Sequence, residues 1–440
     1  MPLARFRSIF GPGLLWAAAA IGVSHLVQST RAGADGGFSL VWVILLALAL
    51  KYPFFEYGPR YAAATGESLV EGYLRLGRWA AWTYLLITLA TALIIQSAVT
   101  LFTAFLFARV LGVEWSMAVT GAVVLAGCAL LLRVGRFRAL DLTIKGVLAL
   151  LTVCTLLAAI LTLPRARGAD FTPWPLAEGS GAIGFVFILA LAGWMPSAFD
   201  ISVWSSLWTL AKERVTGVRA TVAEALLDFR IGYLGTGLIS LAFLTLGATV
   251  MHLAEVRFSP EGAAFSLQLV DLYAQALGEW SRPVILAAAL TTMFSTTLTV
   301  VDGFPRAIAR SVRVLREGVE TPPPGVGAGE GAATRGGAAP AGGVEEDATT
   351  PYWIAVAVLA LLTVAVFRFF VGNLTTMVDF ATVISFLTAP VLGYLNLRAV
   401  TALHVPAEFR PGRGLRLYSW MGLAVGAGTG LLFVATLLGR

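Results

Sequence analysis

The chain has 440 residues, of which 58% are hydrophobic and only 13% charged, and its mean hydropathy is +0.82. A soluble domain carries about twice that charge density, and the continuously apolar runs exclude a transmembrane barrel, whose strands alternate. The net charge of +6 raises the question of nucleic acid, which the placement of the arginines answers below. Cys128 and Cys154 sit inside apolar runs and read as packing residues, with no disulfide framework and no zinc cluster.

In chain order, about eleven apolar runs are long enough to span a bilayer as helices. They cover residues 12–34, 38–57, 80–109, 116–132, 140–163, 182–211, 229–252, 282–303, 352–371, 374–397 and 417–438, called segments one to eleven here. The first run is read as part of the fold rather than a signal peptide. Arg5 and Arg7 precede segment one, and Arg60, Arg75 and Arg78 follow segment two. Arg133, Arg136 and Arg138 follow segment four, Lys212, Arg214 and Arg219 follow segment six, and Arg306, Arg310, Arg313 and Arg316 follow segment eight. Arg398, Arg410, Arg413 and Arg416 precede segment eleven. Every second loop is basic, which predicts a cytoplasmic N-terminus in a plasma (inner) membrane and leaves no nucleic-acid partner to invoke.

Two stretches fall outside the spans. Residues 319–350 are Pro, Gly and Ala with scattered acids, a composition that cannot bury a core. It predicts a disordered cytoplasmic linker dividing the transmembrane domain into residues 1–318 and 351–440. The G-x-G-x-x-A match at Gly327–Ala332 follows no strand and is a chance one. Between segments seven and eight, Ser259-Pro260-Glu261 reads as a helix start, opening a helix that lies along the outer surface.

In a membrane helix, glycine and proline interruptions flanked by polar groups point to a transport site. Segment one carries Gly22, Ser24, His25 and Gln28; segment six carries Gly193, Met195-Pro196, Ser197 and Asp200. Segment six opens the second set of five as segment one opens the first, which is the correspondence an inverted repeat requires. Breaks near Gly22–Ser24 and Met195–Pro196 would free carbonyls at membrane depth, tolerable only beside a polar cavity. Segment eight adds hydroxyls, Ser295, Thr296 and Thr299 among them. These serve either helix–helix hydrogen bonding or a coupling-ion site. Glu56, Arg60, Asp228, Arg230 and Asp379 read as gate or interfacial charges, and Arg31 with Asp35 as an external gate.

Several stretches resemble the Nramp family of proton-coupled divalent-metal transporters, which have the LeuT-type fold. They are Gly11-Pro12-Gly13-Leu14-Leu15 through Ala32-Gly33-Ala34, Gly37 to Trp42, Pro59 to Tyr73, and Met195-Pro196. The resemblance implies an all-α fold with a five-plus-five inverted repeat, broken segments one and six, and a substrate site between them. It also implies that the family's Asp-Pro-Gly-Asn metal motif falls on Gly22-Val23-Ser24-His25, and the histidine after its Met-Pro on Ser197. Of the family's metal-ligating side chains only Met195 carries over, while His25 and Asp200 are new groups one turn beyond each break. Met195, His25 and Asp200 would make a metal site; His25 and Asp200 would equally serve an organic solute, or form a polar pair that joins two helices.

No H-E-x-x-H, G-x-S-x-G or nucleotide-binding domain occurs, so no enzyme activity and no cofactor are expected, and any divalent metal is cargo. The expectation is a secondary transporter, a symporter of a divalent metal driven by a proton or sodium gradient. The alternative is a sodium- or proton-coupled carrier of a non-metal or organic solute on the same fold.

Overall fold

A computed structural model describes residues 11–134, 137–166, 171–173, 184–319, 350–370 and 373–438. Every regular element among the described residues is helical. Nine helices there are long and apolar enough to cross a membrane; they match the predicted segments other than one and six. Those two are the broken ones. The protein is therefore an integral membrane protein of helices. Nearly all of the proposed linker, residues 320–349, lies outside the described residues, and Thr350 already begins segment nine.

Segment one starts as a helix over Pro12–Ala20, bends at Ile21 and Gly22, and resumes as a π-helical turn, Ser24–Ser29, that runs into Thr30–Gly36. Its start is anchored from outside the helix. Pro12 at the first position needs no hydrogen-bond partner, and the free N–H groups of Gly11 and Gly13 donate to the carboxylate of Asp228 at 3.2 and 2.6 Å. A carboxylate at a helix N-terminus complements both the orphan donors and the macrodipole, on the order of 1–2 kcal/mol when partly buried. Asp228, expected as a gate or interfacial charge, thus holds segment seven to the start of segment one.

Segment six is helical over Phe185–Trp194, extended at Met195, and helical again from Asp200 to Thr216; the Met195–Pro196 peptide is cis. Its first half packs on segment ten and its second half on segment two, whereas the first half of segment one packs on segments seven and eight. The two breaks are thereby placed side by side, with segment eight, Ser281–Glu317, reaching across them.

The helix outside the spans covers Gly262–Leu277, starting later than the Ser259-Pro260-Glu261 pattern predicts. The reason is local. The Ser259 N–H donates to the side chain of Gln268 at 2.7 Å, and the Ser259 hydroxyl accepts from the Glu261 N–H at 3.2 Å. These bonds hold residues 259–261 in a turn before the helix. Phe265, Leu269, Leu272 and Tyr273 are buried against segments three, five and eight.

Candidate functional site

A small cavity lies where the two breaks meet. It has a volume of about 40 Å³ and is lined by Gly22 and Ser24 of segment one, Trp194, Ser197, Asp200 and Trp204 of segment six, and Thr296 of segment eight. A water needs roughly 10–15 Å³ on the same measure, so the space suits one ion with a few ligands rather than a bulky organic molecule.

Asp200 supplies the charge. It is buried, and its Oδ1 has no hydrogen-bond partner among the described residues. An ionised carboxylate buried without a partner costs several kcal/mol, which a bound cation would offset. Trp204, also on the cavity wall, has a buried Nε1 without a partner among the described residues.

The segment-one side contributes oxygens. The Thr296 hydroxyl stands 3.2 Å from the Ile21 carbonyl and 3.5 Å from that of Ala18, both released by the bend, and 3.1 Å from its own segment's Thr292 carbonyl. With one proton it can donate to only one of them at a time. Gly22 makes this approach possible: a Cβ there would sit 2.8 Å from Thr296 Cγ2 and 2.9 Å from its Oγ1. Any side chain at the position that the resemblance aligns with the metal-binding aspartate would collide with segment eight. Ser24 has one proton for two neighbours, the Ala20 carbonyl at 2.7 Å and Nδ1 of His25 at 2.7 Å.

The remaining predicted residues lie elsewhere. His25 is fully buried but turns to segment seven, where its Nε2–H donates to the Thr236 carbonyl at 3.1 Å. It touches the cavity only through Ser24 and does not meet Asp200. Met195 packs in an apolar cluster with Phe38, Phe187, Leu191 and Leu244, so its sulfur is not on the cavity wall. Gln28 donates to Asp379 at 3.0 Å and accepts from Arg31 at 3.1 Å. Arg31 pairs with Asp379 at 2.8 Å, not with Asp35 as expected, and lies over the Phe187 ring at 4.6 Å. These contacts lie at the end of the bundle away from the basic loops. Near the basic loops, Glu56 accepts from Arg60 and stands 3.7 Å from Arg230. Of the predicted coupling residues only Thr296 reaches segment one; the Thr299 hydroxyl returns to the Ser295 carbonyl at 2.8 Å.

Sequence reasoning missed Lys51. It is buried in the middle of segment two, and its ammonium donates to the Gly193 carbonyl at 2.7 Å and to that of Ser197 at 3.4 Å. A lone lysine inside an apolar run was the available signal, since such residues mark functional positions in membranes.

Comparison with known proteins agrees with this architecture. A model of the natural resistance-associated macrophage protein-like family (Nramp) matches residues 13–310. An uncharacterized protein of Pasteurella multocida is 34% identical over 433 residues, which are 97% of this chain and 91% of that protein. Metal transporter Nramp6.2 of Populus trichocarpa is 25% identical over 317 residues, 67% of this chain and 55% of that protein. Among solved structures, the manganese transporter of Eremococcus coleocola superposes with a TM-score of 0.64 at 15% identity, covering 98% of this chain and 87% of that one. Mhp1, a nucleobase-cation-symport-1 family transporter, does so with a TM-score of 0.57 at 15% identity, covering 97% and 92%. These likenesses show the LeuT-type fold, with its five-plus-five inverted repeat and broken first and sixth segments.

Proposed function

From the premise that the chain belongs to the Nramp family, shown by the match over residues 13–310, we propose that it is a secondary transporter of a divalent metal cation. The cation crosses by alternating access through the cavity between segments one and six, and an ion gradient drives it. The observation that carries this reading is the buried Asp200 carboxylate, whose Oδ1 has no hydrogen-bond partner among the described residues, lining one small cavity with the hydroxyl residues Ser24, Ser197 and Thr296. A carboxylate beside neutral oxygens is a cation site, and the cavity's volume fits an ion.

The donor set also bears on which metal. Asp200, Ser24, Ser197 and nearby carbonyls are all oxygen ligands, because Met195 and His25 point elsewhere. Oxygen-only sites favour hard ions such as manganese or magnesium over cadmium. For the driving ion, two groups are placed to respond. His25 is joined to the cavity through the Ser24 hydroxyl and has a ring nitrogen to take up a proton, and Thr296 with the Ile21 carbonyl offers hard ligands to sodium. The arginine distribution supports a cytoplasmic N-terminus, and the membrane proposed is the plasma (inner) membrane.

Uptake into proteoliposomes tests the reading. Manganese, magnesium and cadmium are offered separately, with and without imposed pH and sodium gradients. The expected result is uptake of manganese or magnesium above cadmium, accelerated by one of the two gradients. No uptake of any divalent ion, with accumulation of an organic solute under the same gradients, would replace the metal by the solute.

A further inference from the structure

The break in segment six has a second face, turned away from the Asp200 cavity toward segment two. The helix Phe185–Trp194 ends there, and its last carbonyls have no partner in the following turn. They also carry the negative end of the helix dipole, so this face attracts a cation. Gly193 lies so close to segment ten that a Cβ would fall 2.0 Å from the Thr382 carbonyl, which fixes the position of the Gly193 carbonyl. The Lys51 ammonium meets that carbonyl at 2.7 Å and the Ser197 carbonyl at 3.4 Å, and lies 5.4 Å from the centre of the Phe199 ring. The shorter contact has the length of a charge-assisted hydrogen bond, and the ring is within cation–π range. Among the described residues no carboxylate forms an ion pair with Lys51. Its charge is therefore satisfied by backbone dipoles and an aromatic face, the means by which broken membrane helices hold free monovalent ions.

We propose that the segment-six break is a monovalent-cation site whose occupant the chain itself supplies, the tethered ammonium of Lys51. The site then needs no free cation at that break, and removing the lysine side chain creates a requirement for one. This holds whether the cargo of the other face is a metal or not.

An apolar cavity of about 240 Å³ makes the proposal testable. Lys51 and Phe199 line it together with Trp42, Leu46, Ile188 and Phe386. Trp42 and Leu46 are exposed on the outside of segment two, so a small amphiphile has a route into the cavity.

The experiment is chemical rescue of purified, full-length protein. Lys51→Ala deletes the equivalent of n-propylammonium, and Lys51→Met deletes the charge while filling the space. Both variants are expected to melt at lower temperature than the parent protein. n-Propylammonium restores the melting temperature of Lys51→Ala but not of Lys51→Met, and 1-propanol, equal in length and neutral, restores neither. Lys51→Arg retains a charged donor and melts close to the parent without any additive. If Lys51→Ala cannot be purified, the comparison of Lys51→Met with Lys51→Arg decides alone. A Lys51→Met protein as stable as the parent, or rescue by propanol equal to that by the amine, overturns the proposal in favour of a space-filling lysine.

Discussion

The two breaks expose the same kind of backbone and are completed differently. At the segment-one break the released carbonyls of Ala18, Ala20 and Ile21 meet neutral hydroxyls, those of Thr296 and Ser24. At the segment-six break the carbonyls of Gly193 and Ser197 meet an ammonium. A hydroxyl can rotate and offer its lone pairs to an incoming cation, because it is both donor and acceptor. An ammonium has no lone pair to offer and carries the charge already. One break is thus left open to a cation and the other is filled, although the two occupy matching positions in the repeat.

The strongest way to break that comparison is to neutralise the open side. Asp200→Asn keeps the shape and removes the one carboxylate that lines the Asp200 cavity. Divalent-metal uptake is expected to fall tenfold or more, equivalent to about 1.4 kcal/mol or greater. The melting temperature without metal should stay level or rise, since a buried carboxylate with an unpartnered Oδ1 is replaced by a neutral amide. Uptake assays and thermal melts with and without manganese separate the two effects. Unchanged uptake in a stable variant would move the cation site off Asp200.

A smaller effect is expected at the contact that shapes the open side. Gly22→Ala puts a methyl group 2.8 Å from Thr296 Cγ2, and overpacking of this kind costs about 1–3 kcal/mol. Thr296→Ala removes the atoms that clash, so the double variant should recover much of the stability lost by Gly22→Ala. The two changes are then non-additive in a double-mutant cycle. Additive losses measured by thermal or denaturant unfolding would show that segment eight does not set the geometry of the bend.

The extent to which this was legible in the sequence follows from what each signal measures. Hydropathy reports burial in lipid, so the runs around Val41–Thr65 or Leu374–Thr401 were readable to within a few residues at most ends. Gly22 and Met195-Pro196 marked the breaks because glycine and proline interrupt the hydrogen-bond ladder itself. The faces beyond the breaks were not readable. His25 and Gln28 lie in a π-helical turn, Ser24–Ser29, whose i→i+5 spacing alters which side chains face the cavity relative to a 3.6-residue expectation. Met195 was expected beside the cargo from its place in the motif, yet an extended residue at the end of a helix can turn its side chain either way. Lys51 stands in an uninterrupted helix, and nothing in segment two announces that its partner is the break in segment six.

The smallest effect is expected at Met195, where the comparison becomes a statement about metal choice. If the segment-six break is completed by Lys51 and its methionine is turned into the apolar cluster of Phe38, Phe187, Leu191 and Leu244, the thioether takes no part in selecting the ion. Met195→Leu conserves volume in that cluster, an exchange that costs less than about 1.5 kcal/mol. It removes the one soft donor the motif offers. The expected outcome is an uptake ratio of manganese to cadmium within about twofold of the parent protein, since less than about 0.4 kcal/mol separates the two at that level. Competition uptake of the two ions into the same proteoliposomes measures it directly. A selective loss of cadmium uptake in Met195→Leu, with manganese uptake kept, would mean that the sulfur swings to the cavity at another stage of the cycle. The segment-six break would then be open on its Met195 side as well, and the contrast between the two breaks would hold only for the arrangement in which Lys51 bridges Gly193 and Ser197.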